Sequence, residues 1–254
     1  MSANCLVVIP SRYGSTRFPG KVLAELGGRP IVQWCYEAAK AARVGPVIVA
    51  TEDERVADVV RSFGGDVQLT SERCQSGSDR VFEAARGWRG RFVINLQGDA
   101  PLMRPGTILR VARILAENPN ADIATAVMPL EDSKRAADPN VVKAAMGESG
   151  RCLYFSRSPI PFPRNKPVLP MYEHLGIYGY RAAALKRFVR LPPSSLEKTE
   201  SLEQLRALEA GMTIFAAVVS DVPVAIDTPA DLKRAHGLLP RLWQGRQTDR
   251  RRMK

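Results

Sequence analysis

Apolar runs and amphipathic stretches alternate along the first hundred residues of this 254-residue chain. The segments CLVVI (5–9), PVIVA (46–50), DVQLT (66–70) and FVINL (92–96) read as strands, several of them apolar throughout. Strands covered on both faces by helices, as in a parallel sheet, have this look. Between them, PIVQWCYEAAKAAR (30–43) sets Ile31, Trp34, Cys35 and Ala38 on one helical face, with Pro30 as the first helical residue. DERVADVVRSFGG (53–65) repeats the pattern through Val56, Val59, Val60 and Phe63 and ends in a glycine pair suited to a helix stop. Such alternation predicts a Rossmann-like sheet with ligands at the carboxyl ends of its strands.

The pattern changes beyond residue 140. VVKAAMGESGRCLYFSR (141–157) reads as two short strands about a glycine turn, while SPIPFPRNKPVLP (158–170) is too rich in proline for regular structure. HLGIYGYR (174–181) predicts a strand and TESLEQLRALEAG (199–211) a helix stopped by Gly211. TIFAAVV (213–219) predicts a late strand and TPADLKRAHGLL (228–239) a final helix. No internal repeat or linker interrupts 1–240. The expectation is one domain over 1–240 with a strand-rich insertion, followed by a solvated, disordered basic tail, 241–254.

Charge alters this picture only locally. The net charge is +11, but 241–254 alone holds six basic residues and one acidic. With 7% aromatic residues and no basic–aromatic binding stretch, the chain does not read as a nucleic-acid-binding protein. No apolar run approaches the roughly 20 residues of a membrane span, and the N-terminus lacks the features of a secretory signal. Cys5, Cys35, Cys74 and Cys152 are scattered, which argues for reduced thiols and a cytoplasmic protein rather than disulfides or a zinc site.

The candidate chemistry gathers at loops. SRYGSTRFPGK (11–21) follows the first strand and carries Arg12, Arg17 and Lys21 among turn-forming residues. A cationic loop after a buried strand suits phosphate, although it matches neither a Walker A loop nor a dinucleotide fingerprint. A solvated basic turn is the plain alternative. NLQGDAP (95–101) ends a strand at Asp99, whose carboxylate can hold Mg²⁺ beside phosphates. Asp99 could equally be a turn residue or a helix cap. In AIDTPADL (225–232), Thr228, Pro229 and Asp231 form a helix start, which leaves Asp227 one residue too early for the cap. His174, alone in a strand, has a satisfied core histidine as its ordinary reading. Glu203 and Gln204 flank a leucine stripe, and could serve only an Arg206 pair and a capping box from Ser201.

Taken in order, IPSRYGSTRFPGK, LGGRPI, QSGSDR, NLQGDAP, DPNVVK, YFSRSPIPFPR, HLGIYGYR, SLEQLR and IDTP resemble the CMP-Kdo synthetases, the 3-deoxy-manno-octulosonate cytidylyltransferases. The resemblance spans about residues 5–236. It implies a three-layer α/β/α nucleotidyltransferase fold with a mixed, mostly parallel sheet, and a homodimer. It also implies synthesis of CMP-Kdo and pyrophosphate from CTP and Kdo, with Mg²⁺, for lipopolysaccharide or capsule. By motif, Arg12, Arg17 and Lys21 would grip the triphosphate, and Gln75, Ser76, Arg80 and Gln97 would line the nucleotide. Asp99 and Asp227 would hold Mg²⁺, and with Arg12 and Lys21 would form the catalytic set. Arg157, His174, Tyr178, Glu203 and Gln204 would surround the sugar acid, their cationic or donor groups toward its carboxylate. The chain departs from the family at QGDAP, where Ala100 replaces a glutamate, and in the lead-in to IDTP. The near alternative is the same transfer to another ulosonic acid. The remote one is nucleic-acid binding through the tail.

Overall fold

Cys5–Pro10 forms β1, and every residue from Cys5 to Ile9 is at most 6% exposed, as a strand between two helical layers requires. The computed structural model of the chain describes residues 4–165, 169–220 and 225–239. Their packing divides into two units. One comprises Leu6–Trp88, Asn95–Ile108 and the described residues from 225 onward. The other comprises Arg89–Ile94 and the described residues of Leu109–Asp221, with the first residues of the chain.

In the first unit β1 is followed by a two-stranded hairpin, β2 (Glu25–Leu26) and β3 (Arg29–Pro30). Helix α1 (Ile31–Ala42) buries Ile31, Trp34, Cys35 and Ala38, and starts one residue after Pro30, which takes the capping position instead of the first helical one. β4 (Val47–Thr51) pairs parallel with β1 and with β5 (Val67–Leu69), giving the order β1-β4-β5. Between them lies α2 (Glu54–Ser62), capped by the Asp53 carboxylate. Its end is closed by Gly64 and Gly65, whose N–H groups donate to Arg61 and Val60. Helix α3 (Gly77–Ala84) opens with a capping box between Ser76 and Asp79. It supplies a start that its glycine and serine would not otherwise favour.

The second unit carries the strand-rich part. β6 (Phe92–Asn95) and α4 (Pro105–Glu117) lead into it. Then come β7 (Ile123–Leu130), α5 (Ser133–Ala137), β8 (Lys143–Met146), β9 (Cys152–Ser156) and β10 (Met171–Arg181). Helices α6 (Ala182–Phe188), α7 (Ser195–Glu200) and α8 (Gln204–Glu209) precede β11 (Ile214–Val218). The strand order is β11-β7-β10-β6, with β8 paired antiparallel to β10 and β9 antiparallel to β8. β11 runs parallel to β7, and β10 antiparallel to it. The single helix expected over 199–211 is two, because Ser201 takes φ 52° and breaks the run between α7 and α8. The last helix of the described chain runs over 229–239, and the tail lies outside the described residues. No described helix is long and apolar enough to cross a membrane.

Candidate functional site

The cationic loop is closed on itself. The Gly20 N–H donates to the Tyr13 carbonyl at 2.9 Å, and Gly20 takes φ 69°, a conformation that suits only glycine well. Arg12 and Arg17 are exposed, whereas Lys21, just past the neck, is buried. Its ammonium lies 2.6 Å from Asp99 Oδ2 and 2.9 Å from Asp227 Oδ1, and Arg17 Nη2 reaches Asp227 Oδ2 at 3.3 Å. Burial opposes the charge on Lys21, but the two carboxylates outweigh it, and its pKa is raised.

Local backbone explains why the carboxylates meet. The Ile226 N–H donates to the Asp99 carbonyl at 2.9 Å, tying the two aspartate loops together. Gly98 presses against the end of β1, where a Cβ would stand 2.4 Å from Ser11 Oγ and 2.8 Å from the Pro10 carbonyl oxygen. Asp231 caps with Thr228 as expected and also accepts from the Asp227 N–H, which frees the Asp227 side chain to face Lys21. Two carboxylates converging on one cation are a hard-oxygen pair of the kind Mg²⁺ takes alongside phosphate oxygens. Among the described residues no group of three or more His, Cys, Asp or Glu forms a metal cage, so a divalent ion here would need a ligand's oxygens.

The other expected nucleotide residues are spread around this unit. Gln75 is exposed, Ser76 serves as the cap of α3, and Gln97 donates to Asn95 Oδ1 at 3.3 Å. Arg80 points inward: its Nη1 lies 2.9 Å from Glu52 Oε2 and 2.5 Å from Thr70 Oγ1.

In the second unit, β10 carries a bulge between His174 and Tyr178, with Gly176 at φ 68°. Thr125 of β7 fills it, donating its hydroxyl to the Ile177 carbonyl at 2.7 Å. With that proton spent, the Thr125 oxygen can only accept from His174 Nε2 at 2.9 Å. The imidazole is thereby held as the Nε2–H tautomer. Desolvation pushes its pKa down to about 4, so His174 is neutral at physiological pH and its Nε2–H donor is already committed. The His174 ring lies 5.0 Å from Phe155 and 5.2 Å from Tyr178, whose pKa is raised by burial, with Glu203 among the lesser causes.

Gln204 at the start of α8 is 6% exposed, and its Nε2 finds no hydrogen-bond partner among the described residues. A buried amide N–H left so is costly unless a ligand or water takes it up. Ser201 caps the end of α7 rather than boxing with Gln204. Glu203 lies 3.8 Å from Arg206, whose closer partner is Glu197. Arg157 is a clamp: Nε donates to the Glu200 carbonyl at 2.6 Å, Nη1 to Pro139 at 2.8 Å and Nη2 to Ser201 at 3.2 Å.

Several participants carry no sequence signal of their own. Glu200 accepts from the Ser156 hydroxyl and the Arg157 N–H. Lys143 is fully buried, donates to the carbonyls of Asp138, Val141 and Arg157, and has its pKa lowered by desolvation. Thr125 and Glu52 act in the same way, through neighbours. Only the DPNVVK motif contains one of them.

The cytidylyltransferase family model matches residues 6–214. A 3-deoxy-manno-octulosonate cytidylyltransferase of Elusimicrobium minutum is 48% identical over 91% of this chain and 96% of its own length. One from Rhizobium etli is 44% identical over 93% and 95%. The solved structure of a CMP:2-keto-3-deoxy-manno-octonic acid synthetase complexed with CTP superposes with a TM-score of 0.88 at 40% identity, covering 93% of this chain and 98% of that one. A putative glucose-1-phosphate thymidylyltransferase from Bacillus anthracis, 16% identical with a TM-score of 0.64, shares the fold alone. The expected α/β nucleotidyltransferase architecture is therefore present, and the chain belongs to the cytidylyltransferases, within the family of the 3-deoxy-manno-octulosonate enzymes.

Proposed function

We propose that Lys21, Arg12 and Arg17 hold the triphosphate of CTP while the chain makes CMP-Kdo and pyrophosphate from CTP and Kdo. The anomeric oxygen of the sugar forms a bond to the α-phosphorus, the bond from that phosphorus to the pyrophosphate oxygen breaks, and the hydroxyl proton passes to water. Such transfer depends chiefly on positioning and on neutralising charge. The observation that carries the reading is the ammonium of Lys21 set between Asp99 and Asp227 next to the closed loop. These two carboxylates would hold Mg²⁺, which when bound would offset phosphate charge and polarise the reacting phosphoryl group. Lys21 would then be free to turn from the aspartates to phosphate oxygens.

On the sugar side, the orphaned Gln204 Nε2 supplies a buried donor for the Kdo carboxylate or a hydroxyl. Neutral His174 offers Nδ1 as an acceptor, which fits a sugar hydroxyl better than the carboxylate. Arg157, committed to three backbone carbonyls, has part of its fork left for the acid and otherwise shapes the wall. We place the reaction in the cytoplasm, where CTP is made. A homodimer accords with exposed Leu153 and Phe162, and sedimentation of the purified chain reads its state.

Pyrophosphate release from CTP across a panel of ulosonic acids tests the whole reading. Kdo should be the best acceptor, because His174, Tyr178, Glu203 and Gln204 follow the family pattern despite Ala100. A nonulosonic acid or a modified Kdo outrunning it would shift the assignment to the alternative transfer.

A further inference from the structure

Tyr13 is held at both polar atoms of its backbone, and both Arg55 and Gly20 lie against its ring. Its carbonyl accepts the Gly20 N–H at 2.9 Å, so 14–19 form a closed loop whose ends adjoin Arg12 and Lys21. Its N–H donates to Glu52 Oε1 at 3.2 Å. The Arg55 guanidinium stacks on the ring, 3.5 Å from its centroid, and Gly20 sits so close that a Cβ there would be 3.2 Å from the ring. Glu52, one residue past β4, is paired in turn with Arg80, whose Nη1 lies 2.9 Å from Oε2 as an ion pair without hydrogen-bond geometry and donates instead to Thr70 Oγ1. The Arg80 side chain is 7% exposed and that of Glu52 18%. A buried ion pair is a weak source of stability, and its best-attested use is to fix how segments meet. Here the segments are β4, α3 and the neck of the cationic loop.

We propose that Arg80 and Glu52 are positioning residues: Arg80 orients Glu52, whose carboxylate anchors the Tyr13 N–H and so sets where Arg12 and Lys21 meet the triphosphate. This rests on the loop being the CTP phosphate site, and it replaces the direct nucleotide contact that the QSGSDR motif implies for Arg80.

Calorimetric binding of CTP and of cytidine to wild type, Glu52→Ala, Glu52→Gln, Arg80→Met and the double variant Glu52→Ala/Arg80→Met tests it. Cytidine has no phosphate, so it reports an intact base site and a folded chain. CTP affinity should fall about tenfold in Glu52→Ala and in Arg80→Met, and only a few-fold in Glu52→Gln, whose amide oxygen can still accept from Tyr13. Cytidine binding should hold within about twofold, and the double variant should bind CTP no more weakly than the worse single, as residues in one relay do. Arg80→Met weakening cytidine as much as CTP would make Arg80 a nucleotide contact and overturn the proposal. Unchanged CTP affinity in Glu52→Ala would do the same, and if that variant fails to fold, unchanged CTP affinity in an Arg80→Met that still binds cytidine decides against it. A wild type that binds CTP no better than cytidine would instead refute the phosphate-site reading itself.

Discussion

Lys21 occupies the point where two aspartates converge, and this makes it the most informative single residue to change. Lys21→Met removes the cation between Asp99 and Asp227, leaving only the exposed Arg17 beside Asp227. Removing a charge about 3 Å away in a partly exposed site is worth a few kcal/mol at most. Nucleotide-free Lys21→Met should therefore bind Mn²⁺ at least tenfold more tightly than wild type, read from the loss of free-ion resonance, while its CTP affinity falls. Equal Mn²⁺ binding by both proteins would take the aspartates out of the metal site. His174 makes a prediction about pH. Its folded pKa of about 4 lies below the ordinary 6.5, so between these values the unfolded chain binds more protons. Its contribution to stability is whole above pH 6.5 and is lost as pH falls toward 4, by about 1.4 kcal/mol per unit at the steepest. Urea melts over that range should show the slope in wild type and a shallower one in His174→Gln. The residues that could be read from the sequence are those with turn or charge patterns around them, such as Lys21, Asp99 and Asp227. Thr125, Glu52, Glu200 and Lys143 were not, because their roles come from partners 14 to 52 residues away or from backbone carbonyls.

At the scale of elements, what decides the site is how strands end and bend. Strands with β-branched cores, such as β1 and β4, and helices with a clear apolar face, such as α1 and α2, announce themselves. β7 does not: Ala124, Ala126 and Pro129 interrupt its β-branched Ile123, Thr125 and Val127, so its strand identity comes from pairing with β10 and β11. The bulge in β10 is equally silent, since only Gly176 hints at it and Thr125, which fills it, is distant in sequence. The α7–α8 break hides inside a continuous helical pattern. Gly98 shows how an element boundary carries chemistry. A methyl group there would collide with the short Ser11 side chain and with the Pro10 carbonyl, which is strand-end backbone. Gly98→Ala should cost about 1–3 kcal/mol by overpacking and shift Asp99 off Lys21. Thermal melts should drop by several degrees, and turnover should fall further than Ser11→Ala alone explains. A double change, Gly98→Ala with Ser11→Gly, should recover part of both, and failure to recover either would point to a cause other than the clash.

Over the whole molecule, the expected ligand contacts sort by unit. The three cations and both aspartates belong to the first, and Arg157, His174, Tyr178, Glu203 and Gln204 to the second. Five of the net positive charges sit in 241–254, outside every motif of the family. Truncation after Pro240 should therefore leave pyrophosphate release within about twofold of the full chain. A large loss would assign the tail a part in the reaction. The partition also yields a separation of substrates. Gln204→Ala removes a buried donor that no described residue accepts from, so the folded chain should not miss its hydrogen bond. The sugar should miss it: KM for Kdo should rise by roughly tenfold, about one hydrogen bond's worth, with CTP affinity by calorimetry unchanged. Lys21→Met should show the opposite pattern, weakening CTP while the Kdo response at saturating CTP changes little. If Gln204→Ala raises thermal stability and leaves the KM for Kdo alone, then the orphaned amide is a packing defect, and the sugar acid binds by other residues of the second unit.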